Sequence, residues 1–340
     1  MKAVRIHEFG GPEVLRYEDA PDPVLRKDHV LVRVRACALN HLDLWVRGGL
    51  RGVTLPHILG SDVAGEVVEA GEYIGDVKPG TRVLLAPMVF CNHCDPCVAG
   101  HHNFCPQFAV LGNTVDGGNC ELIAIPRVNV IPIPDSLDFI QAASVPLVFL
   151  TAWHMLVGRA NLRAGQTVLV LGAGSGVGSA AIQIAKMLGA EVITTAGDER
   201  KLAKARELGA DHTIDHYKQQ IADEVRRITS KQGVDIVFEH VGIATWPDSV
   251  RSLKPGGTLV TCGATTGYEA QLDLRVLFAK QISLLGSYMG EMGELHEVLK
   301  HVFSGKLKPV VDRTFPLSET RAAHEYLKKS EMFGKVVLTI

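Results

Sequence analysis

The stretch Thr167-Val168-Leu169-Val170-Leu171-Gly172-Ala173-Gly174-Ser175-Gly176-Val177-Gly178 decides the fold of the central third of the chain. The apolar run reads as a strand buried on both faces. The glycines let the backbone turn tightly, and the helical pattern beyond them ends at Gly189. A turn of this kind between a strand and a helix cradles a pyrophosphate. Its backbone can approach the phosphates closely, and the helix N-terminus offers free N–H groups and a positive dipole end.

The same alternation continues outward. Strand EVITT (191–195) precedes helix ERKLAKARELG (199–209), and helix QQIADEVRRIT (219–229) carries Ile221, Val225 and Ile228 at helical spacing. Strand VDIVFEH (234–240), helix PDSVRSL (247–253) and strand GTLVTCG (257–263) follow. Strands alternating with helices imply a parallel, doubly wound α/β sheet. The first third differs: HVLVRVRA (29–36), GSDVAGEVVEAG (60–71) and TRVLLAP (81–87) are short strands between Gly and Pro breaks, as in a barrel-like β domain. The tail has a helix near Glu294 to Ser304 and closes on GKVVLTI (334–340).

The length of 340 residues suits two domains, and 46% apolar residues allow a large core. With a net charge of -2 and no basic block, nucleic acid is not the expected partner. The opening MKAVRIHEFG has no signal-peptide core, and the uncharged run Val168 to Ala185 is interrupted by glycines, so neither export nor a membrane span is expected. A cytoplasmic location is the expectation.

Seven cysteines in such a chain argue against a disulfide framework. Cys91, Cys94, Cys97 and Cys105 follow the spacing C-x2-C-x2-C-x7-C, which can close a tetrahedral thiolate shell around one structural zinc. An iron–sulfur reading lacks the x3 spacing and a second cysteine set. Another alternative has His93, His101 or His102 in place of one cysteine.

The end of the second strand bears on the cofactor. An acid about 20 residues beyond the glycines would hold a ribose 2′-hydroxyl. Ala196 stands there, followed by Gly197, Asp198, Arg200 and Lys201. A small residue followed by two cations suits a 2′-phosphate, so NADP(H) is expected over NAD(H). The competing reading makes Asp198 a helix cap and Arg200 and Lys201 a solvated helix start.

With the glycine turn and cysteine lobe in one chain, the sequence resembles the medium-chain dehydrogenase/reductase superfamily, which includes zinc alcohol dehydrogenases and quinone reductases. The resemblance runs from MKAVRIHEFGGPEVLRYED through PHILGSDVAGEVVEAG to GKVVLTI. It implies a GroES-like β-rich catalytic domain over 1–148 and 289–340, carrying a zinc lobe at about 88–108, and a Rossmann domain over 149–288. It also implies that Thr151, the turn Gly174, Ser175, Gly176, Val177 and Gly178, then Val241, Cys262, Gly263, Ala264, Ser287, Tyr288, Met289 and Lys335 line the cofactor, Lys335 as a cation near the pyrophosphate. By the same resemblance, 282–288 is an edge strand pairing across a homo-oligomer, and the substrate is a small molecule.

The departures from the family pattern bear on mechanism. Where zinc alcohol dehydrogenases have a ligand cysteine, this chain has Asn40, in Ala38-Leu39-Asn40-His41-Leu42-Asp43. Ser61 stands for the ligand histidine, and Leu147, four before Thr151, for the last cysteine. Asn40, His41, Asp43 and Ser61 are the candidate catalytic residues. Without catalytic zinc, hydride delivery to an enone, enoyl thioester or quinone is the expected chemistry. The alternatives are an alcohol dehydrogenase or carbonyl reductase with an atypical or absent zinc, built for instance on His41, Asp43 and Asp62, and a nucleotide-binding protein without turnover. His296-Glu297 with His301 is no metalloprotease motif, because the histidines are five apart, and no G-x-S-x-G elbow occurs.

Overall fold

A computed structural model describes residues 1–340, and the chain divides into two compact units, Met1–Val148 with Glu291–Ile340, and Phe149–Gly290. The second boundary falls after Gly290; the expectation had set it after Tyr288. The backbone runs two residues further before Glu291 caps the helix Met292–Phe303.

The first unit is built on a seven-stranded sheet. Its order is Val130–Pro132, Arg82–Leu85, Asp62–Ala70, His29–Ala38, Lys335–Thr339 and Val311–Pro316, with Leu122–Pro126 also pairing His29–Ala38. A second sheet joins Leu15–Asp19, Lys2–Ile6 and His57–Ile58. In the central strand His29–Ala38, Val30, Val32 and Val34 point into the core while Arg33 is exposed, the alternation of a half-buried strand. A register shift between Val34 and Ala36 ends that alternation, and Ala36, Cys37 and Ala38 are all buried.

The register positions the site. Ala38 lies opposite Asp62 on one side and opposite Val337 on the other, and both pairings are antiparallel. The end of His29–Ala38 therefore meets the starts of Asp62–Ala70 and Lys335–Thr339 at one edge. Asn40, Asp62 and Lys335, far apart in sequence, start out as neighbours there.

The second unit is a six-stranded, all-parallel sheet in the order His212–Asp215, Glu191–Ala196, Thr167–Val170, Val234–Glu239, Leu253–Thr261, Ser283–Gly286. The strand order reverses between Thr167–Val170 and Val234–Glu239, the switch point at which doubly wound sheets bind ligands. Val168, Leu169 and Val170 have no exposed surface, as the apolar run predicts. The helix after the glycine turn is Gly176–Met187.

Two elements of the first unit escape a reading by pattern. Helix Thr320–Lys328 buries only Thr320, Ala323, His324 and Leu327, and strand Val311–Pro316 has no fully buried residue. The strand is too mixed in polarity to show a period, whereas the helix buries a face at i, i+3, i+4 and i+7 of which half is polar. No helix is long and apolar enough to cross a membrane.

Gly178 shows why the glycine turn needs its last glycine. A Cβ there would lie 2.3 Å from the carbonyl oxygen of Gly172. Gly178→Ala is expected to destabilise the second unit by about 1–3 kcal/mol through overpacking and to weaken nucleotide binding; urea unfolding and cofactor titration measure the two effects.

Candidate functional site

Cys91, Cys94, Cys97 and Cys105 come together beside the hairpin of Met88–Val89 and Ala109–Val110, with all four Sγ atoms within 4.8 Å of one another. Backbone N–H groups of His93 and Cys94 hold the Cys91 thiol down at about 6, whereas burial pushes Cys97 up to about 12. The Cys94 N–H donates to Cys91 Sγ at 3.3 Å, and the Gln107 N–H to Cys105 Sγ at 3.3 Å. Four converging sulfurs with N–H support fit zinc, with no position left open for substrate. The nearby histidines are used elsewhere. His93 Nδ1 lies 2.7 Å from the Cys91 carbonyl oxygen, and His101 Nδ1 pairs with Glu291 Oε1 at 2.7 Å. His102 Nδ1 accepts from the Met292 N–H at 3.4 Å, and its ring packs on Phe90 with centroids 4.2 Å apart. These contacts tie the lobe to the start of helix Met292–Phe303.

The strand edge described above carries the second cluster. Asn40 precedes helix His41–Arg47, and its backbone N–H donates to Asp43 Oδ2 at 2.7 Å. Asp43 Oδ1 accepts from the Gly60 N–H at 3.0 Å. Burial pushes the Asp43 carboxyl up to about 6, against the opposing pull of these N–H donors and of Lys335. Asp62 accepts three hydrogen bonds: Oδ1 from the Leu147 N–H at 2.7 Å, and Oδ2 from Asn40 Nδ2 at 3.0 Å and Lys335 Nζ at 2.9 Å. Lys335 Nζ also donates to Asn40 Oδ1 at 2.6 Å. Asp62 is 0%, Asp43 1%, Lys335 3% and Asn40 7% exposed, so within this cluster Asn40 is the group most open to a reactant. His41, the next residue, is half-buried.

The expected site residues have these partners in the structure. Lys335 stands in this cluster of the first unit, bonded to Asp62 and Asn40, and its ammonium is nearly enclosed. Ser61 has no exposed surface and donates its hydroxyl proton to the Leu111 carbonyl at 2.6 Å. Asp43 accepts from two backbone N–H groups, and Asp62 from a backbone N–H, the Asn40 amide and Lys335.

In the second unit, Ser175 Oγ accepts from the Gly178 N–H at 2.9 Å and donates to the Gly172 carbonyl at 2.9 Å, which locks the turn. Gly172 has φ +63°. Asp198 Oδ1 accepts from the Lys201 N–H at 2.9 Å, so its carboxylate caps helix Glu199–Glu207. Gly197 is overlaid by the segment after the third strand: a Cβ on it would lie 2.5 Å from Tyr217 Cε2 and 3.1 Å from His216 Nε2. His216 and Tyr217 were missed by sequence reading, since only the strand order brings them beside Gly197. Val241 is held by its N–H on Glu239 Oε1 at 2.6 Å. Cys262, whose thiol burial pushes up to about 12, leads into Gly263 and Ala264. Ser287 donates its N–H to Thr261 at 2.8 Å; Tyr288 is exposed, Met289 has φ +54°, and Thr151 is buried in helix Pro146–Trp153. Also unforeseen was Glu239. It is fully buried and further holds the Gly242 N–H and the Thr245 and Ser249 hydroxyls.

Two family models match the chain, an alcohol dehydrogenase GroES-like domain over residues 26–135 and a zinc-binding dehydrogenase over residues 176–304. The quinone oxidoreductase of Rattus norvegicus is 31% identical across 100% of this chain and 98% of its own length. An NAD-dependent alcohol dehydrogenase of Sulfolobus acidocaldarius is 32% identical across 100% of both chains. A solved structure of an NAD-dependent alcohol dehydrogenase matches with a TM-score of 0.97 and 43% identity, covering 100% of both chains. The chain belongs to the medium-chain dehydrogenase/reductase superfamily, joining a GroES-like domain to a Rossmann domain. It is an NAD(P)-dependent oxidoreductase of the quinone reductase or alcohol dehydrogenase type.

The Asp43 carboxyl gives a pH prediction. Its folded pKa is raised from 3.8 to about 6. The stability it contributes is therefore fully present below about pH 4 and lost as pH rises through about 6. Relative to Asp43→Asn, which does not titrate there, the wild type is expected to lose on the order of 2 to 3 kcal/mol across that window. Urea unfolding of both proteins from pH 4 to pH 7 measures it, and a flat difference would show that Asp43 titrates normally.

Proposed function

We propose that the chain is an NADP(H)-preferring reductase that delivers hydride to an activated double bond or quinone (an enone, an enoyl thioester or a quinone), with one structural zinc on the four cysteines and no catalytic zinc. The observation that carries this reading is the Asn40–Asp62–Lys335 cluster. It includes Asn40, which by resemblance stands where zinc alcohol dehydrogenases have a ligand cysteine, and Leu147, which stands for another, contributes only a backbone N–H to it.

When bound, the cofactor supplies the hydride. Ser175 and the glycines Gly174, Gly176 and Gly178 would hold its pyrophosphate at the start of helix Gly176–Met187, with Val177 beside them. Thr151, Val241, Cys262, Gly263, Ala264, Ser287, Tyr288 and Met289 would line the rest. The preference for a 2′-phosphate rests on three features. Asp198 is committed to its helix cap, Gly197 is small, and Arg200, Lys201 and His216 lie on the segments next to it. The alcohol dehydrogenases reported above, which use NAD by name, favour the second reading, an alcohol dehydrogenase or carbonyl reductase.

As hydride adds to the substrate's β-carbon, the double-bond electrons move onto the carbonyl oxygen. A neutral donor is needed there. Asn40 Nδ2 spends one hydrogen on Asp62; its other partner is the Ala38 carbonyl at 3.5 Å, a weak contact that a substrate oxygen can displace. One such donor is worth about 3 kcal/mol to the transition state. His41 or water then supplies the proton to the α-carbon. We also propose a homo-oligomer formed through the free edge of strand Ser283–Gly286, near which helix Leu274–Ala279 leaves Leu274 and Phe278 exposed.

Steady-state assays with a panel of enones, quinones and aldehydes test the reading. NADPH is expected to give at least about tenfold higher kcat/KM than NADH, an advantage worth about 1.4 kcal/mol, and Lys201→Glu should erase it. Asn40→Ala should lower kcat on the best enone by about 100-fold while leaving NADPH affinity unchanged. Turnover of aldehydes alone, with NADH preferred, would establish the alcohol dehydrogenase reading.

A further inference from the structure

An asparagine amide is nearly symmetric in outline, and its two ends differ only in that one accepts and the other donates. The surroundings of Asn40 distinguish them. A cation lies 2.6 Å from Oδ1 and a carboxylate oxygen 3.0 Å from Nδ2. Turning the amide over would set its N–H groups against the Lys335 ammonium and its carbonyl oxygen against Asp62. Two charge-assisted hydrogen bonds would become two like-polarity contacts. The orientation of Asn40 is therefore imposed by the ion pair behind it.

The ion pair is itself fixed by backbone. Gly334 has φ +101°, and a Cβ there would lie 2.3 Å from the Val310 carbonyl oxygen. The Lys335 N–H donates to that carbonyl at 2.8 Å, and the strand then pairs with both His29–Ala38 and Val311–Pro316. Lys335 is 3% exposed. Its charge can reach a reactant only through its neighbours, and Asn40 is the neutral one among them.

We infer that Lys335 is a positioning residue that acts through Asn40: its ammonium, bonded to Oδ1, fixes the amide with Nδ2 toward the substrate oxygen and makes that N–H a stronger donor. The chain runs from the Lys335 N–H to Asn40 Oδ1, through the conjugated amide, to the Nδ2–H and the substrate oxygen. Hydrogen bonds in series polarise one another. As negative charge develops on the substrate oxygen, the amide passes on part of the attraction of Lys335, offset in part by Asp62, which accepts from both Lys335 Nζ and Asn40 Nδ2. A buried lysine thus supplies, through one intervening amide, the electrostatic pull that a metal exerts directly in a zinc dehydrogenase. The inference rests on the reading of Asn40 as the oxyanion donor.

Lys335→Met removes the ammonium and keeps the length of the side chain. Because it strands the buried Asp62 carboxylate, the test also uses the double variant Lys335→Met/Asp62→Asn, which is neutral throughout. Both are expected to lower kcat for enone reduction tenfold or more while the NADPH Kd, read by cofactor fluorescence, stays within twofold. Lys335→Arg should recover most of kcat. In an Asn40→Ala background, Lys335→Met should have no further effect on kcat. An unchanged kcat in the double variant, or a loss confined to NADPH affinity, would overturn the inference. Full kcat in Asn40→Ala would show instead that the donor reading itself is wrong. A catalytically impaired Asn40→Ala beside unimpaired Lys335 variants would leave that reading standing and remove only the role of Lys335.

Discussion

The first unit is organised around one buried ion pair, Asp62 with Lys335. Taking a carboxylate and an ammonium out of water costs several kcal/mol per ion, and their mutual attraction offsets this only when the remaining lone pairs and protons are satisfied. Here most are: the Leu147 N–H and the Asn40 amide add two bonds to Asp62, and the Asn40 carbonyl oxygen takes a second Lys335 proton. The pair forms only if strand Lys335–Thr339 returns beside His29–Ala38 in one register. A slip of one residue would turn Lys335 to the other face of the sheet and leave Asp62 an unpaired buried charge. The electrostatics therefore help select the strand pairing, and the strand pairing builds the site.

The same constraint accounts for the chemistry of the site. A metal shell needs several donors with free lone pairs around one point. In this cluster both oxygens of Asp43 and of Asp62 already accept hydrogen bonds, Ser61 donates to a backbone carbonyl, and a lysine ammonium lies against Asp62 and Asn40. The four-cysteine lobe is the opposite case, with four sulfurs converging and N–H groups favouring thiolates. The two clusters divide the roles between them. One has the donor set for a structural ion, and the other places a fixed positive charge behind an amide.

What could be read from sequence follows from the range of the interactions involved. The glycine turn and the cysteine lobe are local: Gly172 to Gly178 and Cys91 to Cys105 carry their geometry in their spacing, so fold class and the thiol cluster were legible. Asn40 and Asp43 were legible as a polar group within one turn. Asp62 and Lys335 lie 273 residues apart, and only strand register joins them. Lys335 was accordingly assigned, by resemblance, to the pyrophosphate. The partner of Ser61, Leu111, likewise comes from a loop that spacing does not place. His216 and Tyr217 reach Gly197 through the order of the parallel sheet. At Asp198 the sequence allowed a helix cap, and the Lys201 N–H makes it one.

The most direct test of a catalytic site without metal is the zinc content of the purified chain at full turnover. One gram-atom of zinc per chain, retained after a chelator that leaves enone reduction intact, is the result this account predicts. Two gram-atoms per chain, with the second lost to the chelator in step with activity, would contradict it and place a metal where Lys335 now supplies the charge.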